Sequence, residues 1–479
     1  MLFKSQDVQS LDAGVSAASI GFVMQNPDHQ LVTDKVWHEL AFGLENLNTD
    51  PAVIRRAVAE ISGYFGIDPW FEKNVDELSG GQKQLLNLAA VMVMRPEILI
   101  LDEPTSQLDP IAASDFLAAV KRLNTDYSLT VIIAEHRLEE VLTLSDRMLV
   151  LEDGELICDG GVREVCRKIA KNDRFFNFLP VPSRVCAQIE SEDFALTVRE
   201  GRSVIEKSCT NEIKSPAIRT PERAKTAALE MKDVFFRYSR ELDDVLRGLC
   251  LEVGENEIFC ILGGNGSGKS TALMAASGVI HTHSGSIRVF GKKLKHYKNN
   301  ELYKGCLAML GQDVQTLFLK NTVREELEDS GITAEELPFD LRALLNKHPY
   351  DLSGGEQQLL GIAKVLASKP RILLLDEPTK GLDPATKKKI TAIIKQLKSD
   401  GMTVVCVTHD VEFAAETAER CALFFRGDVT CTDEPHAFFE GSSFYTTAAN
   451  RMTRDFFSGV ITAEEAAELC RKNRRNAND

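Results

Sequence analysis

Metal-ligand spacing is missing from this chain. Its 11 cysteines are scattered without a Cys-x-x-Cys pair and its 9 histidines form no cluster, which argues against a zinc site or disulfide framework and fits a reducing cytoplasm. The opening MLFKSQDVQS has no apolar signal core, and no stretch nears the roughly 18 uninterrupted apolar residues that a membrane helix needs. Any membrane role must therefore be borrowed from partners. Excess positive charge is lacking as well: the formal net charge is −15, which argues against coating nucleic acid or anionic lipid, although phosphate binding needs only local charge. At 479 residues and 44% hydrophobic composition, the chain is large enough for two domains with sizeable cores.

What is present is one pattern written twice. LSGGQKQLLNLAAVMVMRPEILILDEPTSQLD runs from Leu78 to Asp109, and LSGGEQQLLGIAKVLASKPRILLLDEPTKGLD from Leu352 to Asp383. Ser79, Gly80 and Gly81 pair with Ser353, Gly354 and Gly355, Asp102 and Glu103 with Asp376 and Glu377, Gln25 with Gln312, and His136 with His409. The offset is constant from the signature to the acidic pair and slips by one residue at the histidines, as internal duplication requires. Alternating buried strands and amphipathic helices imply an α/β fold with a parallel sheet. The expected divisions are a first cassette over 1–169, a linker with scattered prolines and short local elements over 170–228, a second cassette over 229–438 and a partly helical tail over 439–479.

One element is not duplicated. GGNGSGKST, comprising Gly263, Gly264, Asn265, Gly266, Ser267, Gly268, Lys269, Ser270 and Thr271, follows the apolar run Ile258 to Leu262 and matches a phosphate-binding loop in its strand-loop-helix setting. Glycines let backbone N–H groups turn toward phosphate oxygens, Lys269 neutralises β/γ charge, and the Ser270 hydroxyl ligates Mg²⁺. The first copy's partner of Lys269 would fall roughly eighteen residues before Met1, so the first cassette is expected to be incomplete at its N-terminus.

The remaining candidates follow from position. Asp376 ends an apolar strand, where it can hold Mg²⁺ through water, and Glu377 beside it can polarise the attacking water. His409 follows the strand TVVCV and is read as a γ-phosphate contact, with helix capping as the alternative. Taken singly, Ser79 and Ser353 read equally as helix caps, Gln25 and Gln312 as loop amides, and Tyr238 as core packing.

Together these residues resemble the ATP-binding cassette (ABC) superfamily, over nearly all of both halves except the linker and tail. The resemblance implies two P-loop NTPase cassettes, each a mainly parallel sheet with a helical signature subdomain, paired head to tail within one chain. ATP and Mg²⁺ would be the cofactors. Catalysis would fall to Glu377, His409 and Gln312, with Ser270, Gln312 and Asp376 around Mg²⁺ and Tyr238 on adenine. Ser79, Gly80 and Gly81 would close that site from the other half. A degenerate second site would combine Gln25, Asp102, Glu103 and His136 with Ser353, Gly354 and Gly355, and should bind ATP poorly. The segments VMQNPDHQLVTDKVWHELAFGLENL and AEHRLEEV look like those of twin-cassette energizers of energy-coupling-factor importers for vitamins and metal ions. That likeness implies an ATPase peripheral to the cytoplasmic face of the cell membrane, working with an integral membrane component and a substrate-capture membrane protein. No nucleic-acid partner is expected. The alternative is a soluble twin-cassette ATPase acting on ribosomes or DNA, against which stand the acidic balance and the absence of a long basic linker.

Overall fold

The computed structural model describes residues 2–4, 6–7, 10–209, 226–298 and 300–473, which form two compact units, Met1–Met148 and Leu149–Asp479. In the first, strands β1 (Ile20–Val23), β2 (Ile98–Asp102) and β3 (Thr130–Ala134) make a parallel sheet in that order. The unit also holds helices α1 (Val36–Asn46), α2 (Pro51–Phe65), α3 (Gly80–Met92) and α4 (Pro110–Tyr127), with shorter helices over Ala13–Ser19 and Leu138–Leu144. Leu99 and Leu101 of β2 join the core with Leu40, Leu86 and Phe116. On β1 and β3, Phe22 and Ile132 remain 44% and 46% exposed.

The second unit contains helices α5 (Val162–Ile169), α6 (Val181–Gln188) and α7 (Val198–Ser208). An antiparallel sheet uses β4 (Ala227–Phe236), β5 (Leu246–Gly254) and later β7 (Ser284–Val289). Strand β6 (Ile258–Leu262) leads to helix α8 (Lys269–Ser277), and β8 (Leu307–Leu310) is followed by α9 (Val323–Ser330) and α10 (Gly354–Leu366). Strands β9 (Ile372–Asp376), β10 (Thr403–Thr408), β11 (Arg420–Phe425) and β12 (Asp428–Asp433) complete a sheet of order β8-β9-β10-β6-β11-β12, parallel except for the last pair. Alternate residues of its central strands enter opposite cores: Cys260, Leu373 and Val404 on one face, Phe259, Leu374 and Val405 on the other. Burial on both faces explains the uninterrupted apolar runs that mark these strands in the sequence. Helices α11 (Pro435–Glu440), α12 (Ala448–Thr453) and α13 (Ala463–Lys472) follow.

The segment expected to be a linker with short local elements is more ordered than that and lies within the second unit. Residues 170–208 carry helices, and the division between units falls at Met148, upstream of that segment. Pro180 caps α6 and Pro182 lies in its first turn, where a missing N–H costs no hydrogen bond. Those prolines start a helix instead of breaking the chain's order. Pro216 and Pro221, also read as linker, lie outside the described residues. The expectation of a partly helical tail agrees with α12 and α13.

Candidate functional site

The chemistry of the second unit gathers where β8, β9, β10 and β6 end. Leu310 pairs with Leu375, Asp376 with Val407, and Leu262 with Thr408, so Gln312, Asp376, Glu377, His409 and the loop after Leu262 all leave the sheet from one edge. Parallel α/β sheets build their sites at this carboxyl edge. The loop's glycines have separate reasons. Gly268 has φ +106°, and a Cβ on Gly263 would lie 2.4 Å from the Phe424 carbonyl oxygen; only a residue without Cβ satisfies either constraint.

Lys269 opens α8 and is buried, with Nζ donating to the carbonyls of Gly263 and Gly264 at 2.9 Å each. Burial pulls its pKa down, opposed by the negative charges of Glu377 and Asp376. The desolvated ammonium is held at the start of a helix whose backbone dipole also favours anions. Asp376 is buried too. Burial pushes its carboxyl pKa up, while a hydrogen bond from Ser270 acts in the opposite direction, and its Oδ1 has no hydrogen-bond partner. A buried, unmatched acceptor next to a hydroxyl is a donor set suited to a hard divalent cation such as Mg²⁺.

Glu377 is held in a different manner. Its φ is +51°, an unusual left-handed value for a residue with a side chain, and its N–H donates to Val407 O at 2.8 Å. The carboxylate accepts from the His409 N–H at 3.3 Å and the Thr408 hydroxyl at 3.4 Å. His409 Nδ1 also stands 2.9 Å from Glu377 Oε2, at charge-contact distance but without hydrogen-bond alignment. Carboxylate and histidine are thus adjacent, an arrangement chemically able to exchange a proton with a water. Tyr238 is 59% exposed, its hydroxyl 3.0 Å from Thr271 Oγ1. The core-packing alternative for Tyr238 therefore fails, and the ring is anchored beside the loop. Gln312 lies exposed just beyond β8.

The first unit assembles the corresponding residues it carries. Gln25 Nε2 donates to Glu103 Oε2 at 2.7 Å, and His136 Nε2 lies 2.7 Å from Glu103 Oε1. Glu103 repeats the left-handed backbone, with φ +41°, and its N–H donates to Ala134 O at 2.9 Å. Asp102, by contrast, is exposed where Asp376 is buried. The two acidic pairs share backbone geometry but not environment.

Both signature serines are helix caps. Ser79 and Gln82 form a reciprocal capping box at α3, as Ser353 and Glu356 do at α10. Capping still leaves backbone N–H groups of the first turn directed outward. Gly80 and Gly354 have open space where a Cβ would stand, whereas a Cβ on Gly355 would meet Thr386 Cγ2 at 2.6 Å. The first glycine keeps the helix start open, and Gly355 allows close packing.

Sequence reasoning missed the group that fixes the loop after Gln312. Glu326 of α9 is fully buried; its Oε1 accepts from Lys320 N at 2.6 Å and also from Leu319 N, and its Oε2 pairs with Lys364 of α10. Glu39 repeats the device on Val32 and Thr33, with bonds of 2.8 to 3.1 Å. The signal was an acid at the same place in both copies. Because Lys364→Met would leave the Glu326 carboxylate buried without its cation, it should lower the stability of the second unit by about 3 kcal/mol, measured by urea unfolding. A change below about 0.5 kcal/mol would show the pair to be energetically idle.

A family model described as "ABC transporter" matches residues 1–106 and 246–380. A Bacillus thuringiensis subsp. konkukian protein named "Putative ABC transporter ATP-binding protein" is 37% identical over 95% of this chain and 84% of its own length. A Clostridium tetani protein of the same description is 33% identical over 90% of this chain and 98% of its own. Among solved structures, an ATP-binding cassette in a dimeric post-hydrolysis state bound to ADP and Pi is 29% identical, covering 43% of this chain and 98% of its own with a TM-score of 0.39. With a phosphate loop, an acidic strand end and its histidine at one sheet edge, and with the signature sequence present twice, the chain belongs to the ABC transporter family of ATP-binding proteins and is an ATPase of twin-cassette length.

Proposed function

We propose that one ATP is held between the second cassette's phosphate loop, Gly263 to Thr271, and the Ser79, Gly80 and Gly81 helix start of the first, with Tyr238 against the adenine. The observation that carries this reading is the convergence of Lys269, Asp376, Glu377 and His409 at one edge. Lys269 exchanges the Gly263 and Gly264 carbonyls for β/γ phosphate oxygens, which meet its desolvated charge. Glu377 takes the proton of the attacking water, and His409 holds the γ-phosphate side of the site. Ser270, Asp376 and Gln312 would hold Mg²⁺, which when bound offsets phosphate charge. Gln25, Asp102, Glu103 and His136, with Ser353, Gly354 and Gly355, form a second site that turns over little, because Asp102 is exposed where Asp376 is buried.

ATP closure and hydrolytic release of this pair power import of a vitamin or metal ion through an integral membrane component, with a separate capture protein choosing the cargo. The reading is supported by the transporter family membership and by segments after Gln25 and around His136 that resemble energy-coupling-factor energizers. The protein works at the cytoplasmic face of the membrane, as the energizers it resembles do; among the described residues no helix is long and apolar enough to cross it. Co-expression with candidate polytopic proteins and ATP-driven uptake into vesicles tests the reading. Uptake that is unaffected by Glu377→Gln would sink it.

A further inference from the structure

ATP binding costs two carbonyls their donor. Lys269 Nζ donates to Gly263 O and Gly264 O, and the functional reading above, on which this inference rests, moves that ammonium to phosphate oxygens. An acceptor that gives up a charged donor is costly to leave unmatched once a ligand covers it. A second donor close by would lower the cost of binding.

One side chain stands where such a donor is needed, and it belongs to the extension that follows the cassette. Tyr445 lies in the connection between α11 and α12. A Cβ built on Gly264 would meet the Tyr445 hydroxyl oxygen at 3.5 Å and no other atom within 4 Å beyond the chain neighbours. That hydroxyl makes no hydrogen bond among the described residues. The backbone around it, by contrast, is held on both sides. Thr446 is buried, its hydroxyl donating to Phe439 O at 2.8 Å, and Thr447 caps α12 by accepting from Asn450 N at 3.1 Å. Ala448 N donates to Glu412 Oε1 at 2.7 Å, in the helix Val411–Thr417 that begins just after His409. The phenol is therefore presented beside the phosphate loop as an unused donor on a fixed support.

We infer that Tyr445 is a positioning residue of the second cassette's nucleotide site: as Lys269 leaves the Gly264 carbonyl for phosphate, the Tyr445 O–H turns onto that carbonyl and takes its place. The bond forms only with phosphate bound, so it raises affinity without adding to the stability of the protein alone. It also gives α12 a direct report of whether the loop is loaded.

The test uses the full chain. Calorimetric titration with the β,γ-imido analogue of ATP and Mg²⁺ should show Tyr445→Phe binding about fivefold more weakly than the parent, the net effect of one hydrogen bond. Its urea midpoint without nucleotide should match the parent's. Lys269→Met supplies an arm that needs no nucleotide. There the Gly264 carbonyl has lost its donor for good and the hydroxyl should already occupy it, so adding Tyr445→Phe should raise the unfolding equilibrium constant about fivefold. Analogue binding by Tyr445→Phe within about twofold of the parent would mean that water serves the carbonyl, and would overturn the inference. Equal effects of Tyr445→Phe on unfolding in the parent and Lys269→Met backgrounds would overturn it too, because the hydroxyl would then be indifferent to Lys269. A parent that binds no analogue sinks the site reading and this inference together; a parent that binds while Tyr445→Phe binds equally sinks this inference alone.

Discussion

Glu377→Gln is expected to slow ATP turnover by about 10²–10⁴-fold while ATP still binds, the range seen when a positioned general base is removed. The amide retains the shape of the side chain, and its carbonyl oxygen can still accept from His409 N and Thr408 Oγ1. The backbone twist at φ +51° is unchanged as well. What is lost is the capacity to take a proton. Glu103→Gln makes the same exchange in the first unit, where Gln25 and His136 flank the acid, and should alter turnover by no more than about twofold. Steady-state phosphate release measures both, and nucleotide retained after rapid desalting reports the trapped state. Equal losses in the two variants would reject the assignment of hydrolysis to the second cassette's acid.

Lys269→Met should abolish ATP binding, by at least about 100-fold, or roughly 2.7 kcal/mol. The methionine matches the lysine stem, so packing of α8 on the sheet is preserved. Without the ammonium, phosphate charge meets only backbone N–H groups while the carboxylates of Asp376 and Glu377 stand nearby, both close enough to influence Lys269. The effect is therefore a change of sign in the local field as well as a lost contact. Thermal unfolding with and without Mg-ATP gives the readout: a ligand at about 100 times its dissociation constant stabilises by about 2.7 kcal/mol, and that increment should vanish in the variant. Retention of the ATP-induced shift would remove Lys269 from the site.

The sequence made the strands and the acids legible for a physical reason. A sheet covered on both faces requires apolar side chains at consecutive positions, and RILLLDEP announces both the strand and the place where it stops being apolar. The loop around Lys269 was legible because the Phe424 carbonyl and the left-handed turn leave no room for other residues. Three features were hidden. The left-handed conformation at Glu377 has no compositional mark, since glutamate rarely adopts it. The role of Glu326 depends on burial, which a polar letter conceals. The helices within residues 170–208 have no clear mark either, since Pro180 and Pro182 suit a helix start as well as a linker. Family resemblance supplied what residues alone left open at Ser79 and Ser353, whose hydroxyls serve as caps in the structure.

The uneven covering of the two sheets has a consequence for how they breathe. Strand β10 is buried along its whole length, whereas every residue of β3 is at least partly open to water. Backbone amides exchange with deuterium through local openings, whose cost rises with the apolar surface each opening wets. Amide protons of Val131 to Ile133 should accordingly label well before those of Val404 to Val407, giving one half of the molecule a short isotopic memory and the other a long one.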